Sequence, residues 1–321
     1  MNKIALVLMF TSLMFAEGTI GGVTYFDYTT AEETSAFNFN RQYFSYKGVA
    51  SDQVTYKVVF DVDRTDNGTV EDCDDGECKE KLEDTRLVAF LKKAQIDYKT
   101  SFGKFNFGLI GMNTYGVQEK NWGYRFIEKS SIDKNKFSST ADIGIGFSKS
   151  ILDNLNLSLQ VVNGEGYKKP QNDKYHKITF NTTYGERKLN KNDGYNIGVV
   201  YTTESTDNDP TTMTSVFGGF AGMGIRIGAE YDLLTDEGVK SIIISVSANY
   251  GLFENMDIFT RYDIFDEDTS VEEDGENYLI AGVLIHCGSG LSVAPNMRMT
   301  SFEDNANDSE TEYKISFQFK F

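Results

Sequence analysis

The last eleven residues, Thr311-Glu312-Tyr313-Lys314-Ile315-Ser316-Phe317-Gln318-Phe319-Lys320-Phe321, decide the reading of the whole chain. Odd positions are aromatic or aliphatic after the first; even positions are charged or polar. Side chains of a strand alternate between faces with a period of two, so this segment sets a greasy face against a wet one. The code recurs upstream. Ile225, Ile227, Ala229, Tyr231 and Leu233 alternate with Arg226, Gly228, Glu230 and Asp232. Met256, Ile258, Tyr262 and Ile264 alternate with Asp257, Arg261 and Asp263, and Leu291, Val293, Pro295, Met297 and Met299 with Ser292, Ala294, Asn296, Arg298 and Thr300. Similar runs lie at 54–62, 88–98, 105–109, 155–161 and 242–250. Composition agrees: 24 Phe, 18 Tyr and 29 Gly against 3 Pro favour strands and tight turns over helices.

Charge and the N-terminus narrow the class. With 31 Lys+Arg against 48 Asp+Glu the chain carries −17, which argues against a nucleic-acid partner. Lys3 followed by the apolar run Ile4–Phe15 and then Ala16 reads as a secretory signal peptide over residues 1–16, leaving 17–321 as the mature domain. The run is too short for a membrane anchor. An exported chain with alternating strands is either a soluble β-protein or a barrel whose apolar face meets lipid, a partner that periodicity alone does not distinguish from a core. A terminal Phe with aromatics at alternate positions resembles the signal by which the barrel assembly machinery recognises outer-membrane barrels.

Connection lengths favour the barrel. Short turns at 48–53, 99–104, 149–154, 185–193, 253–255 and 287–290 alternate with long polar segments at 29–34, 63–84, 113–137, 164–174, 204–211, 267–275 and 303–309. In a barrel these correspond to periplasmic turns and outer loops. If residues 213–233 are two strands turning near Ala221–Gly224, the count is about 16, all antiparallel. Barrels of 16–18 strands leave an aqueous channel. The expectation is therefore an all-β transmembrane porin of the bacterial outer membrane, with the lipid bilayer and small hydrophilic solutes or ions as its partners and no cofactor. The alternatives are a non-conducting structural or adhesive barrel, or a barrel enzyme. The enzyme reading finds little support: the only histidines, His176 and His286, form no metal pair and fall at opposite ends of the predicted barrel. The glycine-rich stretch Gly218–Gly228 lacks the lysine-bearing helix start of a phosphate loop.

Four segments carry a family resemblance. Residues 121–130, NWGYRFIEKS, then 139–144, STADIG, and 161–167, VVNGEGY, together with Arg41-Gln42-Tyr43-Phe44 in an early strand, resemble the phosphate-selective porin O and P family. That resemblance implies a 16-stranded homotrimer whose third outer loop folds inward to constrict the pore. The family's dense ladder of lysines and arginines is not evident in this acidic chain, so its anion selectivity is not carried over.

The long segment 113–137 is independently the third outer loop by count. Its Glu119, Lys120, Arg125, Glu128 and Lys129 are the candidates for a pore constriction, nearly balanced in charge, which predicts weak ion selectivity. The plain alternative is a solvated loop with Trp122 at the membrane interface. Candidates for inward-facing polar residues of the lumen wall are Lys57, Lys93, Gln95, Arg226, Glu230, Arg261 and Arg298. In the acidic second loop, Asp63, Thr65, Asn67, Gly68 and Asp74 loosely imitate a calcium loop, so calcium is a weak candidate there. Cys73 and Cys78 bracket a turn in the same loop and are the candidate disulfide, which an exported compartment permits; Cys287 is then left single.

Overall fold

In a computed structural model of the chain, the described residues are 18–32, 34–64, 70–74, 77–81, 86–304 and 307–321. The expected signal peptide, residues 1–16, lies outside them. Along the chain run β1 (Gly18–Thr30), β2 (Ser35–Val49), β3 (Val54–Arg64), β4 (Val70–Asp74), β5 (Glu77–Lys81), β6 (Leu87–Lys99), β7 (Lys104–Gly111), β8 (Ala141–Leu152) and β9 (Leu155–Val162). They continue with β10 (Lys177–Gly185), β11 (Gly194–Glu204), β12 (Thr211–Gly222), β13 (Ile225–Asp236), β14 (Val239–Phe253), β15 (Met256–Asp266), β16 (Glu276–Gly288), β17 (Leu291–Phe302) and β18 (Glu310–Lys320). All but β4 and β5 close into one antiparallel barrel of sixteen strands, each paired with its neighbour in the chain and β1 with β18.

Closure leaves no open edge, which hydrocarbon would not tolerate. At the seam Val23 faces Lys320 and Thr30 faces Tyr313, while Gly22 and Phe321 exchange both backbone hydrogen bonds at 3.1 Å. Phe26 and Phe317 stack across it with ring centroids 4.5 Å apart. The terminal strand presents Tyr313, Ile315, Phe319 and Phe321 outward and buries Ser316 and Gln318 inward, as its alternation predicts. Ile225, Ile227 and Tyr231 of β13 and Ile258 and Tyr262 of β15 are likewise exposed on the outer wall. Tyr46 and Tyr56, Tyr184 and Tyr195, and Phe319 and Phe321 pair near the ends joined by short turns, an aromatic girdle at one rim.

The turn inside residues 213–233 falls at Met223-Gly224, both with positive φ, as a two-residue hairpin requires. Outer connections are less uniform than the sequence implies: β1 reaches β2 through residues 31–34, and β13 reaches β14 through Glu237-Gly238 alone, again at positive φ. A Glu-Gly pair, whose glycine takes positive φ at no steric cost, is sufficient for a tight hairpin and does not require a loop. The second outer loop contains the β4–β5 ribbon, whose register sets Cys73 directly opposite Cys78. The side chains of residues 65–85 lie outside the described ones, and the expected bridge with them. Of the residues offered for calcium, 65–69 also lie outside, while Asp63 belongs to β3 and pairs with Arg41 at 2.6 Å.

Candidate functional site

Residues 112–140, here L3, connect β7 to β8 by entering the lumen instead of arching over its mouth. They carry two short helices, α1 (Gln118–Trp122) and α2 (Ser131–Lys134). Helices this short do not persist in water on their own, so packing must hold them. Tyr115, Val117, Ile132 and Phe137 of L3 join a buried cluster with Val200, Met213, Phe217 and Ile243 of β11, β12 and β14. Trp122, Tyr124, Phe126 and Ile127 join a second with Phe259, Tyr278, Ile280, Leu284 and Ala294 of β15 to β17. Burying each large apolar side chain contributes roughly 1.5–3 kcal/mol. Trp122 therefore sits inside the barrel, not at the membrane interface: its indole N–H donates to the Glu128 carbonyl at 2.9 Å.

The glycines of β12 and β13 make room for this loop. A Cβ at Gly219 would come within 2.8 Å of the Asn121 amide, and one at Gly228 within 3.0 Å of Asn121 Cβ. Gly123 ends α1 at φ 80°, a left-handed conformation that favours glycine, and a Cβ there would stand 2.4 Å from the Arg226 guanidinium.

Wall arginines complete the fastening. Arg226 donates to the carbonyls of Asn121 and Trp122, both at 3.0 Å, with its guanidinium carbon 4.8 Å from the Tyr124 ring centroid. Arg261 is bound to Asp263 and donates to the Lys129 carbonyl; Arg298 donates to Glu128 at 2.9 Å and to the Ile127 carbonyl. Tyr278 adds a 2.8 Å bond to Glu128, and Ser131 donates to Glu230. Arg226, Arg261, Arg298 and Glu230 are four of the candidates for the lumen wall. Each faces inward, but L3 covers them, because the carbonyls at the ends of its short turns need donors and the multi-pronged guanidinium supplies them. Burial alone would raise the pKa of Glu128; Arg298, Arg261 and the Tyr278 hydroxyl outweigh it and hold the carboxyl below its ordinary value.

The constriction candidates separate. Glu119 and Arg125 face the open side of the lumen and bind each other, with Asp133 also 2.7 Å from Arg125. Lys129 is exposed in the outer part of the lumen, and Glu128 is pinned against the wall. Lys120 points away, toward the inner turn 186–193, where burial and then Arg187 push its ammonium below the usual lysine range.

Across from Arg125 stands a basic surface that strict alternation hides. Bulges leave Asn40 of β2 and Lys92 of β6 without a partner in the register, so Asn40 with Arg41, and Lys92 with Lys93, all turn inward. Arg41 contacts Asp61 at 2.8 Å and Asp63 at 2.6 Å; Lys92 reaches Asp61 at 3.1 Å and the Tyr43 hydroxyl at 3.0 Å. Arg41, Tyr43, Asp61 and Lys92 are absent from the sequence-based candidates; the adjacent Lys92-Lys93 pair, which breaks the period of two, is the signal that could have found them. Lys57 and Lys93 line the inner cavity, while Gln95 is spent on Asp97 at 2.6 Å and on the Gly111 N–H.

Two cavities meet at Arg125. The outer one, about 420 Å³, is lined by Arg41, Asp63, Arg64, Lys129, Lys168 and Lys314 among others; the inner one, about 360 Å³, by Tyr43, Lys57, Lys92, Lys93, Tyr115 and Glu119 among others. On the opposite side, between α1 and β13 to β15, lies a cavity of only about 20 Å³.

Comparison with known proteins agrees with the fold. No family model matches the chain, and no curated protein matches its sequence. Solved structures do. Salmonella typhi OmpF in complex with daunomycin superposes with a TM-score of 0.68 at 10% identity, covering 95% of this chain and 98% of that one. The trimer form of Vibrio cholerae OmpT, an outer membrane protein, gives 0.63 at 12%, covering 95% and 99%, and the anion-selective porin from Comamonas acidovorans 0.62 at 9%, covering 95% and 100%. The fold is porin-like, a sixteen-stranded barrel of the outer-membrane type; membership of the phosphate-selective porin O and P family does not follow from it.

Proposed function

We propose that the chain is a porin of the bacterial outer membrane, a water-filled channel through which small hydrophilic solutes or ions diffuse passively. The observation that carries this reading is the pair of cavities meeting at Arg125, one above and one below, along the side of the barrel that L3 leaves unfilled. L3 narrows the lumen without packing against β2, β3 and β6, as a constriction does and a plug does not. Passive diffusion needs no cofactor and no reaction. A homotrimeric assembly belongs to the same reading, supported by the trimer form of the V. cholerae structure. So does assembly through the C-terminal strand by the barrel assembly machinery. The narrower kinship with the phosphate-selective porin O and P family rests on segments 121–130, 139–144 and 161–167.

Single-channel recording of the detergent-folded protein in a planar bilayer tests the proposal. Discrete ohmic steps are the expected result. A correctly folded barrel that inserts and stays silent would overturn it in favour of a structural or adhesive barrel or a barrel enzyme.

A further inference from the structure

The inner cavity is lopsided in its chemistry. Around it most inward cations are already neutralised: Lys92 by Asp61 at 3.1 Å, Arg41 by Asp61 and Asp63, Arg125 by Glu119 and Asp133. Lys57 and Lys93 are not. Among the described residues neither has an ion-pair or hydrogen-bond partner, and both line the cavity. Lys93 reaches across to the root of L3, so that a Cβ added at Gly111 would lie 2.4 Å from its ammonium nitrogen. Tyr115 and Thr140, from the two ends of L3, line the same cavity, and among the described residues their buried hydroxyls have no hydrogen-bond partner. Val59 and Met112 give the lining an apolar flank.

Unmade hydrogen bonds and uncompensated charge in a confined space are costly, and one kind of ligand relieves both. A carboxylate offers an oxygen to each lysine in charge-assisted hydrogen bonds, while its lone pairs can accept from the leftover hydroxyls once these turn toward the cavity. The apolar flank suits a short hydrocarbon body, which inorganic oxyanions lack. We infer that the inner cavity is a binding subsite for small organic anions, a carboxylate carrying a short apolar body, held between Lys57 and Lys93 on its way through the pore. The inference rests on the porin reading and deepens it.

The test is block of the potassium chloride current by sodium butyrate, compared with inorganic phosphate at equal charge concentration. Butyrate should interrupt the open-channel current at lower concentration than phosphate. Replacing Lys57→Gln and Lys93→Gln together should weaken butyrate block at least about tenfold, the loss expected for one or more charge-assisted hydrogen bonds. Lys174→Gln, on the exposed outer loop, should leave block unchanged. A channel that conducts but is not blocked by butyrate, or is blocked equally in the double variant, overturns the subsite while leaving the porin intact. Phosphate blocking as strongly as butyrate overturns the assignment to organic anions, and this comparison needs only the unaltered protein, so it holds even if the double variant does not fold. A silent barrel overturns the porin reading and the subsite with it.

Discussion

Along β12 to β17 the inward residues include Arg226, Arg261 and Arg298; along β2, β3 and β6 they include Arg41, Lys57, Lys92 and Lys93. The first set is bonded to L3, with a cavity of only about 20 Å³ beside Arg261 and with Arg298 at the edge of the open side, whereas the second borders cavities of about 420 and 360 Å³. The difference lies in what shares the wall with them. On the first side the inward face also carries Phe217, Ile243, Phe259, Ile280 and Leu284, an apolar seat that draws in the aromatic face of L3 and leaves the arginines to satisfy its carbonyls. On the second side the cations are set among Asp61, Asp63 and Tyr43 and border the unfilled lumen. An inward arginine is thus a fastener or a pore charge according to the apolarity of its neighbours.

The sharpest break in that contrast should come from Arg261→Ala. It leaves Asp263, with a side chain 2% exposed, without its cation, and the cost of orphaning one partner of a buried pair is about 3–5 kcal/mol. The heat-modifiable band of the folded barrel should convert at clearly lower temperature, with noisier open-channel current; an unchanged conversion temperature would mean that L3 is not fastened there. Next in size is Gly123→Ala, which forces a Cβ into a left-handed conformation at about 1–2 kcal/mol and pushes Arg226 aside. Its melt should drop by less than that of Arg261→Ala and more than that of any single change on the open side.

Acid gives a third handle. Because the folded pKa of Glu128 is depressed, its contribution is complete above the ordinary glutamate value of 4.5 and is lost only as pH falls through the lower folded value. The stability gap between the parent and Glu128→Gln should stay flat from pH 8 to pH 5 and narrow below 4.5; narrowing between pH 7 and 5 would assign the fastening to another group. Smallest is Lys57→Ala, across the lumen, where a residue with no ion-pair or hydrogen-bond partner among the described residues should change stability by no more than about 0.5 kcal/mol. Its reversal potential in a salt gradient should nonetheless move toward cations, and a marked loss of stability would place Lys57 in the packed half.

The barrel was legible because lipid imposes one rule on every strand, and residues 312–321 or 225–233 state it plainly. The route of L3 was legible only in part. Its position in the chain could be counted, but its seat had to be read from strands that lose the alternation: Tyr278–Ile285 of β16 is apolar on both faces because lipid covers one and L3 the other. Trp122 was ambiguous for the same reason, since an aromatic beside charges suits an interface as well as a core. Arg41 and Lys92 stayed hidden because a bulge shifts the face of a side chain by a backbone event, and a period of two carries no record of it beyond a pair of adjacent polar residues.

The division of the lumen into a filled and an open half is tested most directly by thiol modification during bilayer recording. With Cys287→Ser as background, a cysteine replaces either Lys93, in the inner cavity, or Ser245, on β14 beneath α1, and a water-soluble cationic methanethiosulfonate is added. The Lys93→Cys channel should step to a new current level within seconds of addition, while Ser245→Cys should be indistinguishable from the background protein. Equal modification at both positions, or modification at Ser245→Cys alone, would contradict the placement of L3 and of the pore.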